Sequence, residues 1–139
     1  ITLRPTRSMS DIPNNVKPET ARILGIVVRT LEDAKAEEIH ELDVRQLTDI
    51  TDFMVVASGT SHRHVNAMAE RVREAANEQQ WHVIGVEGEA ENDWVLLDYG
   101  DLVVHLMMPQ TREFYDLEGL WDVRLGKLME LGRDTLLDH

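Results

Sequence analysis

Residues 93–108, DWVLLDYGDLVVHLMM, decide the fold of this chain. They predict two β-strands, 94–99 and 102–107, joined by the two-residue turn Gly100-Asp101. A two-residue turn with glycine first is typical of a tight β-hairpin, because that position needs a positive φ angle. The loop length also predicts the strand register, in which Trp94 faces Met107, Val95 faces Leu106, Leu96 faces His105, Leu97 faces Val104 and Tyr99 faces Leu102.

The two faces of this hairpin differ in character, because side chains alternate between the faces along a strand. One face is apolar apart from one phenol and is predicted to lie in the core: Val95, Leu97, Tyr99, Leu102, Val104 and Leu106. The other mixes large apolar groups with a carboxylate and an imidazole: Trp94, Leu96, Asp98, Val103, His105 and Met107. We interpret this second face as a candidate working surface.

Upstream of the hairpin, the apolar spacing predicts helices at 18–37 and 62–80. Pro18 suits a first helical turn, and Thr60 or Ser61 can cap the second helix. Residues 53–58, FMVVAS, are apolar without alternation, as in a central strand buried on both faces.

The remaining segments complete an α/β domain. Residues 39–45 alternate weakly and predict an edge strand, and 82–86 predict a short strand that makes 53–86 a βαβ unit with parallel strands. A last helix begins at Pro109, with an apolar side formed by Phe114, Leu117, Leu120 and Trp121. The predicted fold is a single α/β domain, a mixed sheet of about five strands with packed helices.

Outside this domain we expect two less regular segments. Residues 1–17 lack apolar periodicity and predict a flexible leader, of which 1–8 precede Met9 and are interpreted as a cloning remnant. The folded domain is expected at 18–121. Residues 122–139 have a weak pattern and are expected to form a C-terminal tail.

The charge distribution argues against nucleic acid as the principal partner. The net charge of the 139 residues is −12, and residues 74–111 contain no Lys or Arg, whereas phosphate binding draws on clustered basic residues. The acidic stretch either keeps the protein in solution or steers it to a basic partner. With no cysteine, no long apolar run and no secretory signal, the chain is expected to be cytoplasmic, without disulfides and without a membrane partner.

Three groups of residues invite a chemical interpretation, and each is weak. His62 and His64 suggest a metal site, but they are two apart on a predicted helix and so lie on different sides of it. The turn Gly59-Thr60-Ser61 resembles a phosphate-binding turn but lacks the Lys of a P-loop. A metal-dependent nucleotidyl transferase would use this turn with two or three carboxylates, for which Glu87, Glu89, Asp98 and Asp101 are the candidates. Asp98 and His105 are diagonal neighbours on one hairpin face, where a structural pair is favoured over a catalytic dyad.

Trp94 and Met107 face each other at the open end of the hairpin, where a sulfur–aromatic contact can form. Either a helix covers this pair or Trp94 is an exposed anchor on an acidic rim, as at interface hot spots. The residues alone do not favour either alternative.

Four stretches of the chain resemble the ribosomal silencing factor family, RsfS/Iojap. They are DITDFMVVASGTSHRHV at 49–65, GVEGE at 85–89, DWVLLDYGDLVVHLMMP at 93–109 and TREFYDLEGLW at 111–121. The resemblance runs in order from about residue 21 to residue 121, and the tail beyond is expected to exceed the family core. Phe53 and Met54 differ from the residues expected at these positions in the family, but neither difference puts an expected function in doubt.

The resemblance implies a function that composition does not show. Members of the family bind the large ribosomal subunit through ribosomal protein L-fourteen, block its joining with the small subunit and thereby repress translation. Their fold is nucleotidyltransferase-like without that activity being known, and some members form homodimers. The family's Asp-Trp motif falls on Trp94, which is expected at the partner interface, and the hairpin register extends this expectation to Leu96, Asp98, His105 and Met107.

The sequence therefore predicts a non-enzymatic translation repressor that needs no cofactor, metal or catalytic residue. A metal-dependent nucleotidyl transferase and a generic acidic adaptor for some other basic protein are the alternatives.

Overall fold

The computed structural model describes residues 2–4 and 16–120 of the chain. In chain order the elements are β1 (Thr2–Arg4), α1 (Pro18–Asp33), β2 (Glu37–Asp43), β3 (Phe53–Ser58), α2 (His62–Glu78), β4 (Gly85–Glu87), β5 (Trp94–Asp98), β6 (Leu102–Met107), α3 (Pro109–Tyr115) and α4 (Leu117–Leu120). The expectations for Trp121 and for the tail at 122–139 lie outside the described residues. None of the helices among the described residues is long and apolar enough to cross a membrane.

The strands form one mixed sheet in the order β1-β2-β3-β6-β5-β4. Among the described strands only β3 and β6 pair in parallel, and the other neighbours are antiparallel. The β5–β6 hairpin has the predicted register from Trp94 opposite Met107 to Leu97 opposite Val104. At its turn Gly100 has a φ of +86°, and the Tyr99 N–H donates to the Leu102 carbonyl at 2.8 Å. The α/β class and the mixed sheet are confirmed.

Two predictions about strand neighbours need correction. β4 runs in the direction of β3 but does not pair with it, because β6 and β5 lie between them. All six residues of β6 are buried, which suits a central strand, whereas the short, partly exposed β4 suits an edge. β2 is not an edge strand, because Thr2–Arg4, expected in the leader, pairs with its outer side.

Helices α1 and α2 pack on one face of the sheet and enclose the main core with the predicted apolar face of the hairpin. Ser61 caps α2 by accepting the His64 N–H at 3.0 Å, as expected. Helix α1 ends at Asp33 rather than at residue 37, because Lys35 adopts a left-handed φ of +64°. The N–H groups of Lys35 and Ala36 then donate to the carbonyls of Glu32 and Leu31, which closes the helix end.

The opposite face of the sheet carries a smaller apolar cluster, which contains Leu42, Val44, Leu47, Val56, Met107 and Leu117. The predicted last helix is broken here into α3 and α4, because Asp116 adopts a left-handed conformation with φ 46°. The prediction that Phe114 belongs to the buried apolar side of this helix is wrong, because Phe114 is 80% exposed. Arg112 points inward instead and is buried.

Candidate functional site

Trp94 is the centre of the candidate site, at the start of β5 on the sheet face opposite to α1 and α2. Its indole ring is half-buried and packs against the cluster that contains Met107. The Nε1–H group donates to Nδ1 of His105 at 3.0 Å. On its other side the ring meets the ring of Tyr115 on α3, with centroids 4.9 Å apart. The indole is therefore held by a strand neighbour and a helix.

His105 is the strand neighbour that receives this hydrogen bond. Because the indole N–H can only donate, Nδ1 of His105 accepts and the ring proton resides on Nε2. Nε2 has no hydrogen-bond partner among the described residues, and the residue is only 3% exposed. Burial lowers the pKa of His105 to about 4, so the imidazole is neutral at pH 7 and orients Trp94.

A cleft of about 470 Å³ lies directly beside Trp94. Its lining residues are Gly88, Ala90, Glu91, Asp93, Trp94, Thr111 and Tyr115. Two carboxylates, Glu91 and Asp93, line the cleft together with the two aromatic rings, and none of its lining residues within the described part of the chain is basic. Asp93 Oδ1 lies 2.6 Å from Nε2 of the exposed His62. The cleft therefore combines aromatic walls with an acidic rim.

Gly88 sets the shape of the wall formed by the β4–β5 connection. Its φ is +88°, and a Cβ atom placed there would lie 1.9 Å from the carbonyl oxygen of Trp94. The Asn92 N–H donates to the Gly88 carbonyl at 2.9 Å and closes the turn. The close approach to Trp94 thus requires glycine at this position.

The five residues predicted to bind a partner lie on one sheet face, but they differ in exposure. Trp94, Leu96 and Asp98 on β5 are partly exposed, whereas His105 and Met107 on β6 are buried. β6 is more central than β5, and Met107 packs in the cluster with Leu117 of α4. Without rearrangement, His105 and Met107 can support Trp94 but cannot themselves reach a partner.

Tyr115 and Phe114 were not singled out for the site by sequence reasoning. Tyr115 contacts Trp94, and Phe114 stands edge-on to Tyr115 with centroids 5.0 Å apart. Together they extend the indole into a row of three aromatic rings whose outer member is exposed. The sequence TREFY at 111–115 shows that aromatic residues are present but not which way they face, since a seven-residue helix is too short to show its orientation by periodicity.

The alternative chemical groups are engaged within the fold. His64 accepts the Thr60 N–H at Nδ1, 2.9 Å away, and lies 2.7 Å from the Ala34 carbonyl at Nε2, while His62 points to Asp93. In the Gly59-Thr60-Ser61 turn, the Thr60 N–H thus donates to His64 and does not point to a phosphate site. Among the described residues, no three His, Cys, Asp or Glu are placed to hold a metal ion.

Asp98 and His105 also have other partners. Asp98 accepts the Gly100 N–H at 2.8 Å and thereby stabilises the hairpin turn, while His105 accepts from Trp94. Glu89 binds Arg73 at 3.2 Å, at the exposed side of the connection. The role of these contacts is to stabilise the fold.

Comparisons with known proteins agree on one family. The family described as "Ribosomal silencing factor during starvation" matches residues 17–135. The match extends past Trp121 into the segment expected to form a C-terminal tail.

A ribosomal silencing factor from Chromobacterium violaceum is 42% identical over 103 residues, which are 74% of this chain and 84% of that protein. The mouse protein named mitochondrial assembly of ribosomal large subunit protein 1 is 33% identical over 118 residues, covering 81% of this chain and 52% of its own. A crystal structure from Chromobacterium violaceum superposes with a TM-score of 0.71 at 42% identity, covering 73% of this chain and 84% of that one. The chain belongs to the ribosomal silencing factor family.

Proposed function

We propose that this chain docks on the large ribosomal subunit through ribosomal protein L-fourteen and represses translation by keeping the small subunit from joining. The observation that carries the proposal is the partly exposed Trp94–Tyr115 pair beside an acidic cleft, in a member of this family. The name of the mouse relative, an assembly protein of the ribosomal large subunit, supports the choice of subunit.

The docking surface comprises Trp94, Tyr115, Phe114 and the carboxylates Glu91 and Asp93. Large aromatic side chains are the usual anchors of protein interfaces, since they bury much area at a small entropic cost. The apolar side chain of Phe114 is exposed, and the solubility of the unbound chain does not require an apolar residue there. Leu96 and Asp98 along β5 complete the face predicted from the sequence, with His105 and Met107 behind Trp94 as support.

Charge complements these anchors. The chain carries a net charge of −12, and the described residues that line the cleft include two carboxylates and no basic side chain. An acidic rim accelerates association with a basic protein surface and disfavours contact with the phosphates of ribosomal RNA. A protein with this surface therefore selects a basic ribosomal protein over exposed RNA.

The proposed mechanism is steric and requires no catalytic group or cofactor. An interface of about 1,200–2,000 Å² is enough for specific binding, and the volume of the bound domain then excludes the other subunit. If a homodimer forms, as the family resemblance implies, it must leave Trp94 uncovered or open before docking.

The test is sedimentation of the purified chain with large subunits, with small subunits and with joined ribosomes. We expect binding to large subunits alone and a loss of subunit joining. Trp94→Ala should weaken this binding at least about tenfold, the effect of removing a central anchor. Ile50→Ala is the matched control, because Ile50 is a 57%-exposed apolar residue in the β2–β3 connection, outside the proposed docking surface.

Three outcomes would count against the proposal. Binding to no ribosomal particle removes the ribosomal function and favours an adaptor for another basic protein. Binding to large subunits with joining intact contradicts the silencing mechanism. Equal binding by Trp94→Ala and the original chain shows that docking uses another surface.

A further inference from the structure

Helix α3 carries Tyr115 to Trp94, yet little apolar packing from the described residues holds it. It follows β6 after one residue, Met108, and has seven residues, of which only Arg112 is buried. An isolated helix of this length is unstable in water, so its position depends on tertiary contacts. The question is what keeps Tyr115 against the indole.

The guanidinium group of Arg112 makes these contacts. Its Nε and Nη2 atoms donate to the two carboxylate oxygens of Glu118 on α4, both at 3.0 Å. Its Nη1 atom donates to Oγ of Ser58 at the end of β3, at 2.9 Å. Nδ1 of His40 on β2 lies 2.9 Å from Glu118 and 3.2 Å from Nη2 of Arg112. One cation thus joins α3, α4 and two strands.

The geometry of this network restricts α3 more strongly than apolar packing would. A bidentate Arg–carboxylate pair has a defined plane and direction, whereas apolar contacts can slide. Arg112 and Glu118 retain only about a tenth and a fifth of their side-chain exposure. Burial would raise the pKa of Glu118, but its hydrogen bonds with Arg112 and the charge of Arg112, together with His40, bring this pKa below its usual value. Glu118 is therefore charged at pH 7.

The network is linked to the docking surface through the helix itself. Residues three apart on a helix are neighbours, so fixing Arg112 also fixes the ring of Tyr115. The end of the helix is fixed as well, because the Asp116 N–H donates to the Arg112 carbonyl at 2.8 Å. A rotation of α3 that moved Tyr115 away from Trp94 would also move Arg112 away from Glu118 and Ser58.

We propose that Arg112 is a positioning residue for the docking surface: its bonds to Glu118 and Ser58, with His40 against the same carboxylate, hold α3 so that Tyr115 stays packed on Trp94. The inference rests on the proposed function for its binding consequence, but not for its structural consequence. Arg112 contacts no partner itself and acts through Tyr115.

The first test reads the surroundings of Trp94 directly. The chain has three tryptophans, so the substitutions Trp81→Phe and Trp121→Phe leave Trp94 as the only indole. In this background, Arg112→Lys keeps the charge but loses the planar fork. We expect Arg112→Lys to give the near-ultraviolet circular dichroism and the red-shifted emission of Tyr115→Leu, which removes the ring contact directly.

Arg45→Lys is the matched control. Arg45 also forms a two-pronged pair with a carboxylate, Asp43, at 3.0 and 2.8 Å. Its guanidinium lies over Phe53, which pairs with Leu102 at the end of β6 remote from Met107. We expect the Trp94 spectra to be unchanged by this substitution. If Arg112→Lys does not fold, Glu118→Gln takes its place, since it removes the partner's charge at nearly constant size.

The second test is binding to large ribosomal subunits. Arg112→Lys and Tyr115→Leu should each weaken binding about tenfold, as expected for an anchor that is displaced or removed. A lower Tm with unaltered Trp94 spectra and unaltered binding would make Arg112 a stabilising residue only and overturn the inference. If the original chain binds no subunit, the proposed function fails, while the spectra still decide whether Arg112 positions Tyr115.

Discussion

At the scale of single residues, the candidate site depends on a buried histidine that uses only one of its two ring nitrogens in a hydrogen bond to the described residues. His105 accepts the indole N–H of Trp94 through Nδ1, while its Nε2–H group has no partner among the described residues. An unpaired buried donor costs about 1–3 kcal/mol. Such a residue is not explained by stability, but it is explained if the orientation of Trp94 matters. The same burial makes the residue sensitive to pH.

We expect the folded chain to lose stability as the pH falls from 7 to 5, in part because of His105. The unfolded chain binds a proton on this residue near pH 6.5, whereas burial holds the folded pKa at about 4. The unfolded state therefore binds more protons between these values, and the contribution of His105 to the free energy of unfolding falls by about 2 kcal/mol between pH 7 and pH 5. This is measured by urea denaturation at the two pH values.

The substitution His105→Asn isolates this contribution, because it keeps a hydrogen-bond acceptor but does not titrate. Its loss of stability between pH 7 and pH 5 should be smaller than that of the original chain by about 2 kcal/mol. An unchanged slope in His105→Asn would show that His105 is not held neutral by the fold.

At the scale of secondary-structure elements, two connections shape the cleft beside Trp94. Helix α3 brings Tyr115 to one side of the indole, and the β4–β5 connection forms the acidic wall. The connection reaches Trp94 so closely because Gly88 has no side chain and adopts a positive φ. The cleft is therefore a product of backbone conformation as well as of side chains.

Gly88→Ala should destabilise the fold by more than about 1 kcal/mol, because alanine is strained at positive φ and its Cβ would collide with the Trp94 carbonyl. Gly25→Ala in α1 is the matched control. Apart from its chain neighbours and the nearby backbone of its own helix, no heavy atom lies within 4 Å of the Cβ position at Gly25, so alanine should stabilise the helix by about 0.4–1 kcal/mol. Urea denaturation midpoints measure both effects. Equal behaviour of the two variants would contradict the tight approach of the connection to β5.

At the scale of the whole molecule, the sheet separates two tasks. One face packs against α1 and α2 and supplies the main core. The other face has a small cluster of its own and carries the aromatic and acidic groups near Trp94. The strongly negative net charge acts over the whole surface, but its effect on a partner is greatest where the partner approaches. This distinction can be measured.

Glu91→Lys and Glu32→Lys change the net charge equally at opposite faces of the molecule. Glu91 lines the cleft, whereas Glu32 is exposed on α1, in the helical layer of the other face. We expect Glu91→Lys to slow association with large subunits by a factor of about 3 to 10 at low salt and much less at high salt. Stopped-flow association kinetics at two salt concentrations give this comparison. Equal slowing by Glu32→Lys would mean that net charge, rather than the cleft, governs association.

The sequence by itself determined the features that depend on local order. Alternation and turn length determine the register of the β5–β6 hairpin, and the uninterrupted apolar run at 53–58 marks a central strand. The conjunction of motifs from residue 49 to residue 121 identified the family. All these signals lie within short segments, where spacing along the chain translates directly into geometry.

Only the tertiary structure decided which elements became neighbours and which side chains remained accessible. Periodicity shows which side of a strand is apolar but not which strand lies beside it, so the pairing of β3 with β6 rather than β4 was not predicted. Similarly, His105 and Met107 lie on the predicted face, yet their burial depends on the central place of β6 and on α4. The inward position of Arg112 rests on Ser58, His40 and Glu118, which come from three different elements. A cation is placed inside only when distant polar partners converge on it, and that convergence is a property of the folded molecule.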